Sequence, residues 1–173
     1  MTMTRRHQLA AAGVLWLAAG AAYADPCKLT IEGNDQMQFN TREMVVAAQC
    51  TDIEVTFKHA GSLPAKVMGH DWVLAKASDM SGLVNAGMAA GFKNGYLPKD
   101  DPRIIAATRI IGGGESTTIS FKTSALQEGM EYAFFCTAPG HSTIMRGKFI
   151  FGGNKAVAGS PAGSRESPSE TAH

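Results

Sequence analysis

The sequence predicts an all-β domain, a Greek-key β-sandwich interrupted by one short helix. Three observations predict it. Apolar and polar residues alternate over short stretches, which puts one side of each extended segment on a core. Turn-forming residues punctuate the chain between those stretches. Helical periodicity stands out in one place, between Ser78 and Gly91.

Taken in order, residues 53–58 place Ile53, Val55 and Phe57 on one face and Glu54, Thr56 and Lys58 on the other. Val67-Met68-Gly69-His70-Asp71-Trp72-Val73 lies at the mouth of another predicted strand. Met80, Leu83, Val84, Gly87 and Met88 then recur at helical spacing behind Ser78 or Asp79 as N-cap. Residues 117–122 put Ile119 and Phe121 together, and residues 131–136 do the same with Tyr132 and Phe134. Residues 148–151 form the last apolar strand. Between them lie Gly33-Asn34-Asp35, Gly61-Ser62-Leu63-Pro64, Gly112-Gly113-Gly114-Glu115, Gln127-Glu128-Gly129 and Pro139-Gly140. Short strands at that spacing argue for a sandwich.

The domain is expected over residues 25–151. Before it, Arg5, Arg6 and His7 precede an apolar run from Leu9 to Ala22 that closes on Ala22-Tyr23-Ala24. That pattern is a signal peptide cleaved after Ala24, too short and too glycine-interrupted for a membrane anchor. Thr4-Arg5-Arg6 weakly resembles a twin-arginine signal, and the export route stays open. Residues 152–173 turn to Gly, Ala, Ser, Pro and charge without apolar periodicity, which predicts a flexible tail whose role is none or a tether. The chain carries 16 basic and 15 acidic residues, and loss of Arg5 and Arg6 with the leader leaves a net charge of −1. Such a balance excludes a nucleic-acid or anionic-lipid binder.

Export into an oxidising compartment makes three cysteines an odd number. Cys27 and Cys50, near the ends of early segments, are read as a pair whose loop closure is worth about 3–4 kcal/mol. Cys136 is left over and needs a use. It opens Cys136-Thr137-Ala138-Pro139-Gly140-His141-Ser142-Thr143-Ile144-Met145, where a thiolate, an imidazole and a thioether share one loop. Two histidines, one cysteine and a distant axial methionine are the donor set of a blue-copper site. His70 in Val67-Met68-Gly69-His70, at a strand mouth, supplies the second imidazole.

These residues carry a resemblance to a known family. Glu32 to Asn40, Val67-Met68-Gly69-His70, Gly87-Met88-Ala89, Asp100-Asp101, Phe134-Phe135-Cys136-Thr137 and Pro139-Gly140-His141 are similar to the azurins, within the cupredoxins. The resemblance runs from Cys27 to about Phe151. It implies a Cys27–Cys50 disulfide and one type 1 copper held by His70, Cys136 and His141. Met145 and the Gly69 carbonyl would be weak axial donors. It implies a periplasmic, monomeric one-electron carrier cycling Cu(I)/Cu(II), not an enzyme. Its transient partners would be c-type cytochromes or copper nitrite reductase, docking on an apolar rim of Met37, Met68, Ala138, Pro139 and Gly140.

Two positions depart from the azurin pattern. Asp71 stands where asparagine is usual; a carboxylate only accepts hydrogen bonds, so Asp71 either holds a proton or alters the link to the cysteine loop, lowering the potential by its charge. Ala138 replaces a usual aromatic, which would leave His141 more solvated. His59 is read as a buried structural histidine, and Met80, Met88 and Met130 as packing or surface. A zinc or thiol enzyme using Cys136 and His141, and a copper carrier or other β-sandwich binding module, are the rival readings.

Overall fold

The computed structural model describes Asp25 and residues 27–153. The expected signal peptide and cleavage site, and the tail beyond Gly153, lie outside the described residues.

Among the described residues, eight strands form two layers. A three-stranded sheet has the order β1 (Lys28–Gly33), β3 (Asp52–His59), β6 (Ser116–Lys122). A five-stranded sheet has the order β2 (Glu43–Val46), β8 (Arg146–Phe151), β7 (Tyr132–Phe135), β4 (Val73–Lys76), β5 (Ala106–Ala107). β1 runs parallel to β3, and β2 parallel to β8. Parallel neighbours need a crossover, and here the chain leaves the first sheet for β2 and returns for β3, a Greek-key connection. Cys27 and Cys50, just before β1 and β3, are joined by a disulfide.

Alternation builds the core between the layers. Ile53, Val55 and Phe57 of β3 are buried, as are Met44 and Val46 of β2 and Tyr132, Phe134 and Phe149 of β7 and β8. Trp72 lies at its centre against Phe121, Phe134 and Phe149. Burying each such side chain is worth about 1.5–3 kcal/mol. The Trp72 indole Nε1 is the one buried side-chain polar atom without a hydrogen-bond partner among the described residues.

The predicted helix forms as α2 (Met80–Ala90), entered through a 3-10 turn at Ala77–Asp79. Asp79 takes the N-cap position without a side-chain cap bond. A one-turn helix, α1 (Ala65–Met68), precedes β4. Leu83 of α2 packs on the outer side of the five-stranded sheet, on Val73, Ala75 and Phe135, and makes a second small core. β7 is therefore covered on both faces, with Phe134 inward and Phe135 under the helix. Among the described residues no helix is long and apolar enough to cross a membrane.

Candidate metal centre

Strand pairing brings the remote donors together. β4 and β7 are antiparallel with Val73 opposite Phe135. His70, three residues before Val73, and Cys136, one after Phe135, therefore meet at the same end of the sheet. The loop from Cys136 returns into β8, and the Cys136 N–H closes it on the Met145 carbonyl at 3.1 Å. Pro139-Gly140 turns the chain, with Gly140 at φ 81°, a conformation glycine adopts without a Cβ penalty. A 3-10 turn at His141–Thr143 then aims the second imidazole inward. His70 is pinned by an exchange of backbone bonds with Ile111, at 3.0 and 2.8 Å.

The His70 imidazole is oriented from behind. His70 Nε2 lies 2.8 Å from the Asn34 carbonyl oxygen. A carbonyl only accepts, so Nε2 carries the proton and Nδ1 presents its lone pair to the centre. There it stands 3.1 Å from His141 Nδ1 and 3.9 Å from Cys136 Sγ, while Cys136 Sγ is 3.6 Å from His141 Nδ1. The three donors lie within 4.8 Å of one another, and all three residues are buried.

Electrostatics sharpens what this cluster needs. Burial pushes His70 down to about 4 and His141 below its ordinary value, so both rings are in the neutral, ligating form at pH 7. Burial, with the neighbouring Asp71 charge, pushes the Cys136 thiol well up. A thiolate in this place needs a cation beside it. Two converging neutral imidazole nitrogens and a buried sulfur fit a soft or borderline metal ion, and the donor set suits copper in both oxidation states.

Surrounding groups fix the ligand loop. Asp71, fully buried, accepts the Thr137 N–H at 2.7 Å through Oδ1 and bonds the Thr137 hydroxyl through Oδ2. Burial raises its carboxyl to about 6, and the two Thr137 bonds pull the other way. The link to the cysteine loop is thus kept with the carboxyl as acceptor. His59 stacks on His70 at 4.6 Å, with Nε2 on the Met68 carbonyl at 2.8 Å and Nδ1 accepting the Gly61 N–H at 3.0 Å. Both its nitrogens are occupied by backbone, as expected of a structural histidine.

The axial candidates are held by close packing. Met145 is fully buried, and a Cβ on Gly33 would lie 2.7 Å from its terminal methyl. A Cβ on Gly69 would collide with the Ala65 carbonyl and stand 2.8 Å from Ile110 Cδ1. At Gly69 the clash is with backbone and glycine is required, whereas at Gly33 a Cβ would press on the end of the Met145 side chain. Met88 and Met130 are exposed, and Met80 packs beside the second core.

Residues 25–152 match the sequence profile of the copper binding proteins of the plastocyanin/azurin family. The chain belongs to this family. The azurin of Pseudomonas aeruginosa strain PAO1 is 49% identical over 141 residues, covering 82% of this chain and 95% of the relative. Azurin-1 of Alcaligenes xylosoxydans xylosoxydans is 50% identical over 121 residues, covering 70% of this chain and 94% of the relative. A solved azurin, isoform Az-iso2 of Methylomonas sp. strain J, superposes with a TM-score of 0.70 at 42% identity, over 72% of this chain and 97% of that one. The protein is a cupredoxin of the azurin type, an electron carrier rather than an enzyme, and its His-Cys-His site takes one copper ion.

Within this azurin-like frame the expected rim is uneven. Pro139 and Gly140 are exposed, Met37 and Met68 are half-buried, and Ala138 is only 4% exposed. His141 is itself just 9% exposed beside that small side chain. Three exposed apolar residues that the sequence did not mark as rim lie close in sequence to donor residues or their supports: Leu63, Val67 and Ile144. Val67 and Ile144 flank His70 and Met145 in sequence, the one signal that could have found them. The Asn34 carbonyl was also missed, because a backbone acceptor leaves no mark in side-chain identity.

Proposed function

We propose that the chain is a periplasmic one-electron shuttle in which His70 Nδ1, His141 Nδ1 and Cys136 Sγ would hold copper. The Met145 thioether and the Gly69 carbonyl would add weaker donors. Copper, when bound, supplies a one-electron couple between Cu(I) and Cu(II). The chain's own work is to keep the donors where they are. Asn34 locks the His70 tautomer, the Ile111 bridge fixes its backbone, and Asp71 ties Thr137 beside the thiolate. None of these bonds has to change on electron transfer, so little reorganisation opposes it. The observation that carries this reading is the convergence of three buried donors, with His70 oriented by a bond on its far side.

His141 lies at the loop end of the domain, with exposed Pro139 and Gly140 next to it. We take this apolar rim, with Met37, Met68, Ala138 beneath it, and Val67 and Ile144, as the docking surface for a c-type cytochrome or copper nitrite reductase. A small, weakly charged contact suits transient redox partners.

The test is titration of the metal-free protein with Cu(II), followed by visible absorption, alongside Cys136→Ser. An intense red-absorbing thiolate-to-copper band that bleaches on reduction is expected in the native protein and not in the variant. Cu(II) binding without that band would refute the ligand assignment.

A further inference from the structure

Between β4 and the strand beside it, the pairing changes register just before it reaches the metal centre. Leu74 lies opposite Ala106 and Val73 opposite Ala107. The same ladder runs on to Trp72 and Thr108, where the Thr108 N–H donates to the Trp72 carbonyl at 2.9 Å. A regular continuation would set His70 opposite Ile110, yet His70 lies opposite Ile111. Between these two pairs stand Asp71 on one side and both Arg109 and Ile110 on the other, which is a β-bulge. Burial follows the shift. Ala106 and Thr108 are buried, Arg109 is exposed, Ile110 is half-buried, and the inward phase resumes at Ile111.

At the bulge a side chain replaces one bond of the ladder. In a regular hydrogen-bonded pair the Trp72 N–H would donate to the Thr108 carbonyl. Here it donates to the Thr108 hydroxyl, at 2.9 Å. Trp72 is fully buried and Thr108 is 1% exposed, so this N–H depends on that oxygen. Of residues 106–111 Thr108 alone carries a side-chain acceptor, because the others are Ala, Ile and an Arg whose guanidinium only donates. The extra residue is taken up at the one step where a side chain can stand in for the lost acceptor.

We infer that Thr108 is a positioning residue for the metal centre, the pin that holds the bulge opposite Asp71 and thereby sets Gly69 and His70; the inference rests on His70 being a copper ligand. The bulge acts on both residues. Ile111 exchanges two backbone bonds with His70. Ile110 packs over Gly69, with its Cδ1 and Cγ1 2.8 and 2.9 Å from where a Cβ on that glycine would stand. A slip to the regular register would put Ile110 in the place of Ile111 and exchange the faces of their side chains. Loosening the bulge also frees the backbone of His70, and with it the 2.8 Å bond from Nε2 to the Asn34 carbonyl that fixes the tautomer.

The test compares the full chain with Thr108→Val, which keeps the shape and removes the acceptor, and with Thr108→Ser, which keeps the acceptor. In the copper-free proteins, solvent exchange of the His70 Nε2–H, followed by NMR, should be faster in Thr108→Val than in the native chain and unchanged in Thr108→Ser. After copper loading, the thiolate-to-copper band and the reduction potential should shift in Thr108→Val and match the native protein in Thr108→Ser. A folded Thr108→Val with native exchange, band and potential overturns the inference whatever its stability, since the threonine then only supports the fold. A Thr108→Ser that shifts as Thr108→Val does also overturns it, by assigning the effect to the lost methyl. Should Thr108→Val not fold, the Trp72 amide and Thr108→Ser decide: a fast-exchanging Trp72 amide in the native chain, or a shifted serine variant, refutes the pin. A native chain without the band would refute the copper reading itself, and the exchange comparison in the copper-free proteins would still decide for Thr108.

Discussion

At the scale of single residues, Asp71 and Gly33 set the electronic and steric surroundings of the site. Asp71 is a buried carboxyl whose two oxygens meet Thr137, one residue from the thiolate. A negative charge there stabilises the more positive oxidation state and lowers the potential. In Asp71→Asn the amide oxygen can accept the Thr137 N–H and the amide nitrogen can donate to its hydroxyl, so the loop stays anchored while the charge is gone. The potential measured by protein-film voltammetry at neutral pH should rise; equal potentials in the two proteins would remove charge from the account of Asp71. Gly33→Ala tests the axis. The new Cβ would press on Met145 Cε at 2.7 Å and on Phe57 at 3.2 Å. Overpacking of this kind costs about 1–3 kcal/mol. Lower thermal stability with a shifted potential is expected, and a shifted stability with an unmoved potential would mean that the thioether does not act on the metal.

Elements explain why part of the design was legible in the sequence and part was not. β3 and β6 alternate and β7 and β8 are aromatic-rich, so all four were readable, as was the helix behind Ser78 and Asp79. β1 alternates too, with half-buried Leu29 and fully buried Ile31 against Lys28, Thr30 and Glu32, but the run is short and does not stand out; it pairs in parallel with β3. β2 and β5 are four and two residues long, too short for a period to emerge. The donor residues were legible because their chemistry is rare: a spare cysteine, a following histidine and methionine, and a distant Gly-His. The orienting acceptors were not, since register and backbone direction decide them. The role of α2 as a buttress emerges at this scale as well. Leu83 is fully buried on Phe135, the residue before Cys136, but on the face of β7 away from the main core. Leu83→Ala should cost about 2–5 kcal/mol in urea unfolding through the cavity it leaves. The charge-transfer band should keep its position, because β4 and β7 still hold His70 and Cys136 in register; a displaced band would make the helix part of the ligand geometry.

For the whole molecule, the metal site is a place where folding and function oppose each other, most visibly in the copper-free protein. His70 falls from an ordinary 6.5 to about 4 in the fold, so as pH drops through that window the unfolded chain takes up a proton that the native state refuses. That stability is present above 6.5 and lost on acidification, and at about 1.36 kcal/mol per unit it amounts to about 3 kcal/mol. Asp71 works with the opposite sign. Its carboxyl rises from 3.8 to about 6, the native state keeps a proton that the unfolded chain gives up, and stability is gained as pH falls from 6 towards 4. The two effects are of similar size and offset each other, which leaves His141, also held below its ordinary value by burial, to decide the direction. Urea unfolding of the copper-free protein between pH 7 and 4 should therefore show a modest loss of stability on acidification. The copper-free Asp71→Asn variant lacks the opposing carboxyl and should lose about 3 kcal/mol more over the same range. A copper-free protein whose stability held constant or rose on acidification, with the variant following the same curve, would show that the histidines are not desolvated in the fold and that the site is not set before the metal arrives.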